Sequence, residues 1–156
     1  YRPLDEYRRW MQEGVYFLGA LPPPNLALEL ARSALLVHPS NSTEASCIAA
    51  IEAQAAGTPV VASAYGALPE TVQDGRTGVV VPGRVETEEF NRRFADAVAD
   101  LLLNPQRREE LGRAARQRAL SYYSWDAIAQ EWLAKLAQLL QQKAAPFRQS
   151  KPLLSV

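Results

Sequence analysis

A chain of 156 residues with 47% hydrophobic and 22% charged side chains has the length and composition of one globular domain with its own core. Its 17 basic and 17 acidic residues cancel, which removes any overall electrostatic case for nucleic-acid binding. The single cysteine, Cys47, excludes an internal disulfide, and with the single histidine, His38, it lacks the Cys/His spacing of a structural zinc site.

Along the chain, a helical pattern over residues 4–12 precedes a short apolar run from Val15 to Gly19, which reads as a buried strand. A helix is predicted from Asn25 to Ala34, a strand from Leu35 to His38, a helix from Ser46 to Ala56 and a strand from Pro59 to Ser63. Gly57 fits a helix C-cap between the last two. A short helix from Pro69 to Gln73 and a strand from Gly78 to Val81 follow. Continuous apolar strands alternating with helices predict an α/β fold with a parallel, Rossmann-like sheet flanked by helices.

After Val81 the pattern is helical only. Phe90, Phe94, Val98 and Leu101 recur at helical spacing, and Asn104-Pro105 supplies a cap and a first-turn proline for a second helix ending near Leu120. Ser124 caps a third, whose apolar face includes Ile128, Trp132, Leu136 and Leu139 or Leu140. The expected organisation is one domain over residues 1–143 and a tail over 144–156, where Pro146 and Pro152 fall. No stretch reaches the roughly 18 to 20 apolar residues of a membrane span, and the N-terminus lacks the order of a secretory signal. A soluble, cytoplasmic protein is expected, with peripheral contact at a membrane surface left open by the arginines from Arg107 to Arg118.

The stretch from His38 to Gly57 carries the chemistry, reading as strand end, polar loop and helix, with Glu44 and Glu52 eight residues apart. No charged residue lies between Ala45 and Ile51, and so alanine-rich a helix reads as closely packed on most sides. Extrapolated as ideal helix, eight residues rise about 12 Å and bring the two carboxylates within about 80° of one another. That spacing exceeds the roughly 5 to 9.5 Å between glycosidase carboxylates, so the pair suits gripping an elongated ligand better than hydrolysis. Between them, amides near Cys47 and Ile48 at a helix N-terminus can hold phosphate. A nucleoside diphosphate sugar has hydroxyls at both ends and phosphate between.

These residues resemble the retaining GT-B glycosyltransferases of the "glycosyl transferases group 1", or family 4, type. The likeness rests on Pro39-Ser40, Glu44, Glu52-Ala53 and Ala56-Gly57-Thr58-Pro59-Val60-Val61, then Gly66-Ala67-Leu68-Pro69-Glu70, Gly75 to Gly78 and Ser124-Trp125, covering residues 15 to 140. The resemblance implies the C-terminal, nucleotide-sugar-binding half of a GT-B fold, incomplete at its N-terminus, and transfer of a sugar from a nucleoside diphosphate carrier with retained configuration. Glu52 would bind ribose hydroxyls, Glu44 would act near the donor sugar as the catalytic carboxylate, and the amides around Cys47 and Ile48 would meet the diphosphate. No cofactor and no metal are implied, because helix amides and basic side chains stabilise the leaving group.

The implied partners are the donor and an acceptor-binding N-terminal domain that this chain lacks, so the chain alone is expected to be inactive. A sheet edge left open by missing strands would favour self-association. Two positions depart from the family pattern, since Cys47 and Ala67 stand where glycine is common. They keep a non-catalytic binding module open as an alternative, beside a GT-B sugar-nucleotide epimerase. Taken singly, Glu44 can serve only to complement a helix dipole, Cys47 to pack and His38 to hold a strand end.

Overall fold

The computed structural model describes residues 9–144. Its strands β1 (Leu36–His38), β2 (Val60–Ser63) and β3 (Gly78–Val81) form one parallel sheet in chain order. Leu36 lies opposite Val60, and Val61 opposite Val79. Every residue of the central strand β2 is buried. Its alternating side chains feed two cores: Val60 and Ala62 join Cys47, Ala50, Ala53, Leu68 and Val72, while Val61 joins Val81, Phe90, Phe94, Leu101 and Leu111. This is the two-sided burial that continuously apolar strands predict.

Around the sheet run α1 (Pro23–Arg32), α2 (Ile48–Ala56), α3 (Leu68–Thr71), α4 (Glu88–Leu103), α5 (Pro105–Arg118), a π-helical turn (Ala119–Tyr123) and α6 (Trp125–Ala144). Local chemistry sets their ends. The Thr87 hydroxyl accepts the Phe90 amide at the start of α4, the Asn104 side chain accepts the Arg107 amide at the start of α5, and Ser124 accepts the Ala127 amide in α6. Gly57 closes α2 in the left-handed region at φ 85°. A Cβ on Gly112 would stand 2.3 Å from the Gly57 carbonyl oxygen, so α5 lies directly on the end of α2 only because Gly112 lacks a side chain. Arg116 Nη1 then donates to the Ala55 carbonyl at 2.7 Å.

Four expectations need correction. Val15–Gly19 is neither a strand nor buried: it is irregular, and Val15, Tyr16, Phe17 and Leu18 are all exposed. An apolar run becomes a strand only when a neighbour takes its backbone hydrogen bonds, and no strand among the described residues lies beside it. Helix α2 begins at Ile48 rather than Ser46, and only Ala50, Ala53 and Gln54 of it are buried. The apolar face expected of α6 covers little, since Trp132, Leu136, Leu139 and Leu140 are exposed. The helix expected near Leu120 ends as α5 at Arg118 and continues as the π-helical turn. Residues 9–12 are helical; the rest of the predicted first helix, and the tail beyond Ala144, lie outside the described residues. The outer edge of β1 pairs with no strand among the described residues, leaving an edge of the kind that pairs with further chain. No described helix is long and apolar enough to cross a membrane.

Candidate donor site at the carboxyl end of β1

Ligands of open α/β sheets gather outside the carboxyl ends of the strands, and here β1 ends at His38 and delivers the chain into the loop before α2. Tertiary contacts hold that loop. The buried Ser63 hydroxyl donates to the Ser40 carbonyl at 2.5 Å, the Ser42 amide donates to Ser40 Oγ at 3.1 Å, and Asn41 Nδ2 donates to Glu86 Oε1 at 3.1 Å. Among the described residues Glu86 is the sole non-glycine at positive φ, 80°, a strained backbone beside the loop it holds. At Gly66 the following loop comes close: φ is 55°, and a Cβ there would stand 2.9 Å from the Ser42 carbonyl oxygen and 3.3 Å from the Glu44 nitrogen. Gly66 therefore meets both demands that glycine alone satisfies, a left-handed backbone and a close approach.

Glu44, partly buried, faces His38, with Oε1 3.9 Å from Nε2. The same nitrogen lies 3.6 Å from the Cys47 sulfur. Cys47 is the residue before α2 and is 2% exposed. Burial chiefly pushes its thiol pKa up, and a hydrogen bond and like-sign repulsion from Glu44 add to that, while the amides of Ala50 and Ala49 pull the other way without prevailing. A buried, protonated thiol is a packing group more than a nucleophile. The first intrahelical bond of α2 runs from the Ile51 amide to the Cys47 carbonyl at 3.1 Å, so the Ile48, Ala49 and Ala50 amides precede it. Ile48 is exposed.

Glu52 also faces outward from α2, into an apolar cleft of about 320 Å³ that it shares with Pro23, Leu26 and Leu30 of α1 and with Arg116. Ala55 and Ala56 also line that cleft, so Glu52 lies along the middle of α2 and Glu44 ahead of its start, not along one helix. Glu44 sits on the loop ahead of Ile48, so the rise and angle expected from an ideal helix do not describe the pair. Ala67, one of the two positions where glycine is common, is 7% exposed and in ordinary helical conformation, so its methyl is mostly buried within the protein. Sequence reasoning missed the contributions of Asn41, Ser63 and Glu86, which carry no motif, and the convergence of His38 with Glu44 and Cys47. Gly66 stood within the quoted motif, but its role is visible only once two loops meet.

The sequence model of the family described as "Glycosyl transferases group 1" matches residues 8–118, more than half of the chain. This chain belongs to that family. D-inositol 3-phosphate glycosyltransferase of Kribbella flavida is 41% identical over 118 residues, 76% of this chain and 26% of that protein. Alpha-maltose-1-phosphate synthase of Mycolicibacterium smegmatis is 36% identical over 121 residues, 77% of this chain and 31% of that protein. Among solved structures, sucrose-phosphate synthase from Thermosynechococcus elongatus superposes with a TM-score of 0.70 at 31% identity, covering 89% of this chain and 33% of that one. Anabaena HepE in complex with UDP-glucose superposes at 0.64, with 23% identity over 86% of this chain and 36% of that one, a likeness of fold. The described residues form a partial Rossmann-like domain of the GT-B type. The chain spans between about a quarter and a third of the length of the relatives it matches.

Proposed function

We propose that the chain binds the nucleoside diphosphate sugar of a retaining glycosyltransferase, with Glu52 taking the ribose hydroxyls, the amides at the start of α2 meeting the diphosphate, and Glu44 facing the donor sugar. The observation that carries this reading is that Glu52 lines an apolar cleft along the outer side of α2 while Glu44 stands on the loop just ahead of that helix. The cleft suits a flat base, and a carboxylate at its rim accepts from vicinal hydroxyls. Amides at a helix start favour negative charge, so the transfer itself calls for no metal. Acceptor recognition is assigned to chain outside these residues, and transfer by this chain alone is not expected.

Calorimetric titration of the chain, and of any longer polypeptide containing it, with UDP, GDP and ADP tests the proposal. One nucleotide should bind, and Glu52→Ala should weaken it by about 10- to 100-fold, the worth of charge-assisted hydrogen bonds of about 1.5–3 kcal/mol. A second reading, a non-catalytic module, is favoured by the Cys47 thiol lying against the Ala49 and Ala50 amides, where phosphate would otherwise sit. No binding of any nucleotide by folded protein would decide for it.

A further inference from the structure

We propose that His38, Glu44 and Cys47 form a binding site for a divalent ion of the zinc class, with Nε2, a carboxylate oxygen and Sγ as ligands. All three ligand atoms lie within 4.8 Å of one another, and no other described residues are needed to complete the trio. They come from three pieces of the fold: the end of β1, the loop and the residue capping α2.

The geometry separates this reading from two others. In a nucleophilic relay the thiol and the carboxylate take opposite nitrogens of the imidazole, so that the acid orients the base. Here both approach the same nitrogen, Nε2, at 3.6 Å from sulfur and 3.9 Å from the carboxylate. Groups converging on one point in this way share a centre instead of passing a proton along. Simple packing of a small residue at position 47 would not explain why an imidazole and a carboxylate also turn toward the sulfur.

The distances fit the ion. Tetrahedral zinc, with bonds of about 2.3 Å to sulfur and about 2.0–2.1 Å to nitrogen, holds those two atoms about 3.5 Å apart, and the observed separation is 3.6 Å. The nitrogen-to-oxygen edge of such a centre is about 3.3 Å against 3.9 Å here, so Glu44, on a loop, has to move inward to complete the set. Nitrogen, oxygen and sulfur together match the mixed preference of zinc and exclude magnesium or calcium as natural occupants. The side chains of His38 and Glu44 are only 30% and 32% exposed, which partly shields the centre from bulk water. Binding displaces the thiol proton to solvent. An ion held there engages Glu44, so it would compete with any ligand that needs that carboxylate free.

Titration of the 156-residue chain with Co²⁺ tests the site, because Cys47 is the sole thiol in the sequence and any thiolate-to-cobalt charge-transfer band must come from it. One equivalent of Co²⁺ should bind with that band, and Zn²⁺ should displace it. Cys47→Ser should abolish the band. His38→Gln and Glu44→Gln, with far-ultraviolet circular dichroism unchanged, should each weaken binding by at least about tenfold. The proposal fails if no equivalent binds, or if both of these variants hold Co²⁺ as tightly as the unaltered chain, which would mark a simple thiol adduct. Because His38 and Glu44 are partly exposed, their variants remain informative even if Cys47→Ser does not fold. The proposal shares Glu44 with the donor reading but fails separately from it: Glu52→Ala should lose nucleotide binding and keep the ion.

Discussion

Glu52 and Glu44 stand on and just ahead of the same helix, on different supports. Glu52 projects from α2, a helix anchored by Ala50, Ala53 and Gln54 in the core and pressed at its end by α5. Glu44 projects from a loop kept in place by a few hydrogen bonds and one close backbone approach. One end of the site therefore moves only with the whole domain, whereas the other can shift alone. Rigid elements hold functional groups more precisely than loops do, and loops can reorganise for far less free energy than the core.

That contrast can be broken from either end. Gly112→Val should have the largest effect, because a Cβ there collides with the Gly57 carbonyl; overpacking of this kind costs about 3 kcal/mol. Thermal unfolding should show a lower midpoint for the entire domain, and the Glu52 end cannot be lost without it. Gly66→Ala should cost about 2 kcal/mol, combining the left-handed backbone penalty with the clash at Ser42. Its sharper signature is selectivity: binding that depends on Glu44 should weaken more than binding that depends on Glu52, as judged by Co²⁺ and nucleotide titrations. Ser63→Ala removes the hydrogen bond to the Ser40 carbonyl and should cost about 1 kcal/mol. Hydrogen exchange should then quicken in the loop ahead of α2 and remain slow in α2 itself. Equal quickening in both would show that the two supports are not independent.

The same contrast governs what could be read from the residues. Strands β1, β2 and β3 lie within a residue of their expected places, because short apolar runs bounded by turn residues are enough where both faces are buried. Gly57, Asn104-Pro105 and Ser124 announce helix ends through local chemistry, and each does so in the structure. Glu52 could be placed on a helix from its own neighbours. Glu44 could not be positioned so simply, since its surroundings are made by Ser63, Gly66 and Glu86, distant in sequence. The convergence of His38, Glu44 and Cys47 was hidden for a related reason: spacing rules for ligands describe known frameworks and say nothing of a strand end meeting a helix cap. Val15–Gly19 misled because apolar character encodes a wish for burial, not the presence of a neighbour. The face of α6 shows the same limit, with Trp132 and Leu136 patterned for packing yet uncovered by the described residues.

The order of the sheet has one more consequence. Since β1, β2 and β3 sit side by side in the order in which they are made, each strand on arrival finds its partner already synthesised and only one crossover away. Contacts of such short reach favour rapid folding over sheets whose neighbours are distant in sequence. The site itself closes later, because Glu86 holds the loop ahead of α2 and Arg116 of α5 lines the cleft beside it, so the sheet is laid down before the last of its ligand-facing parts is made.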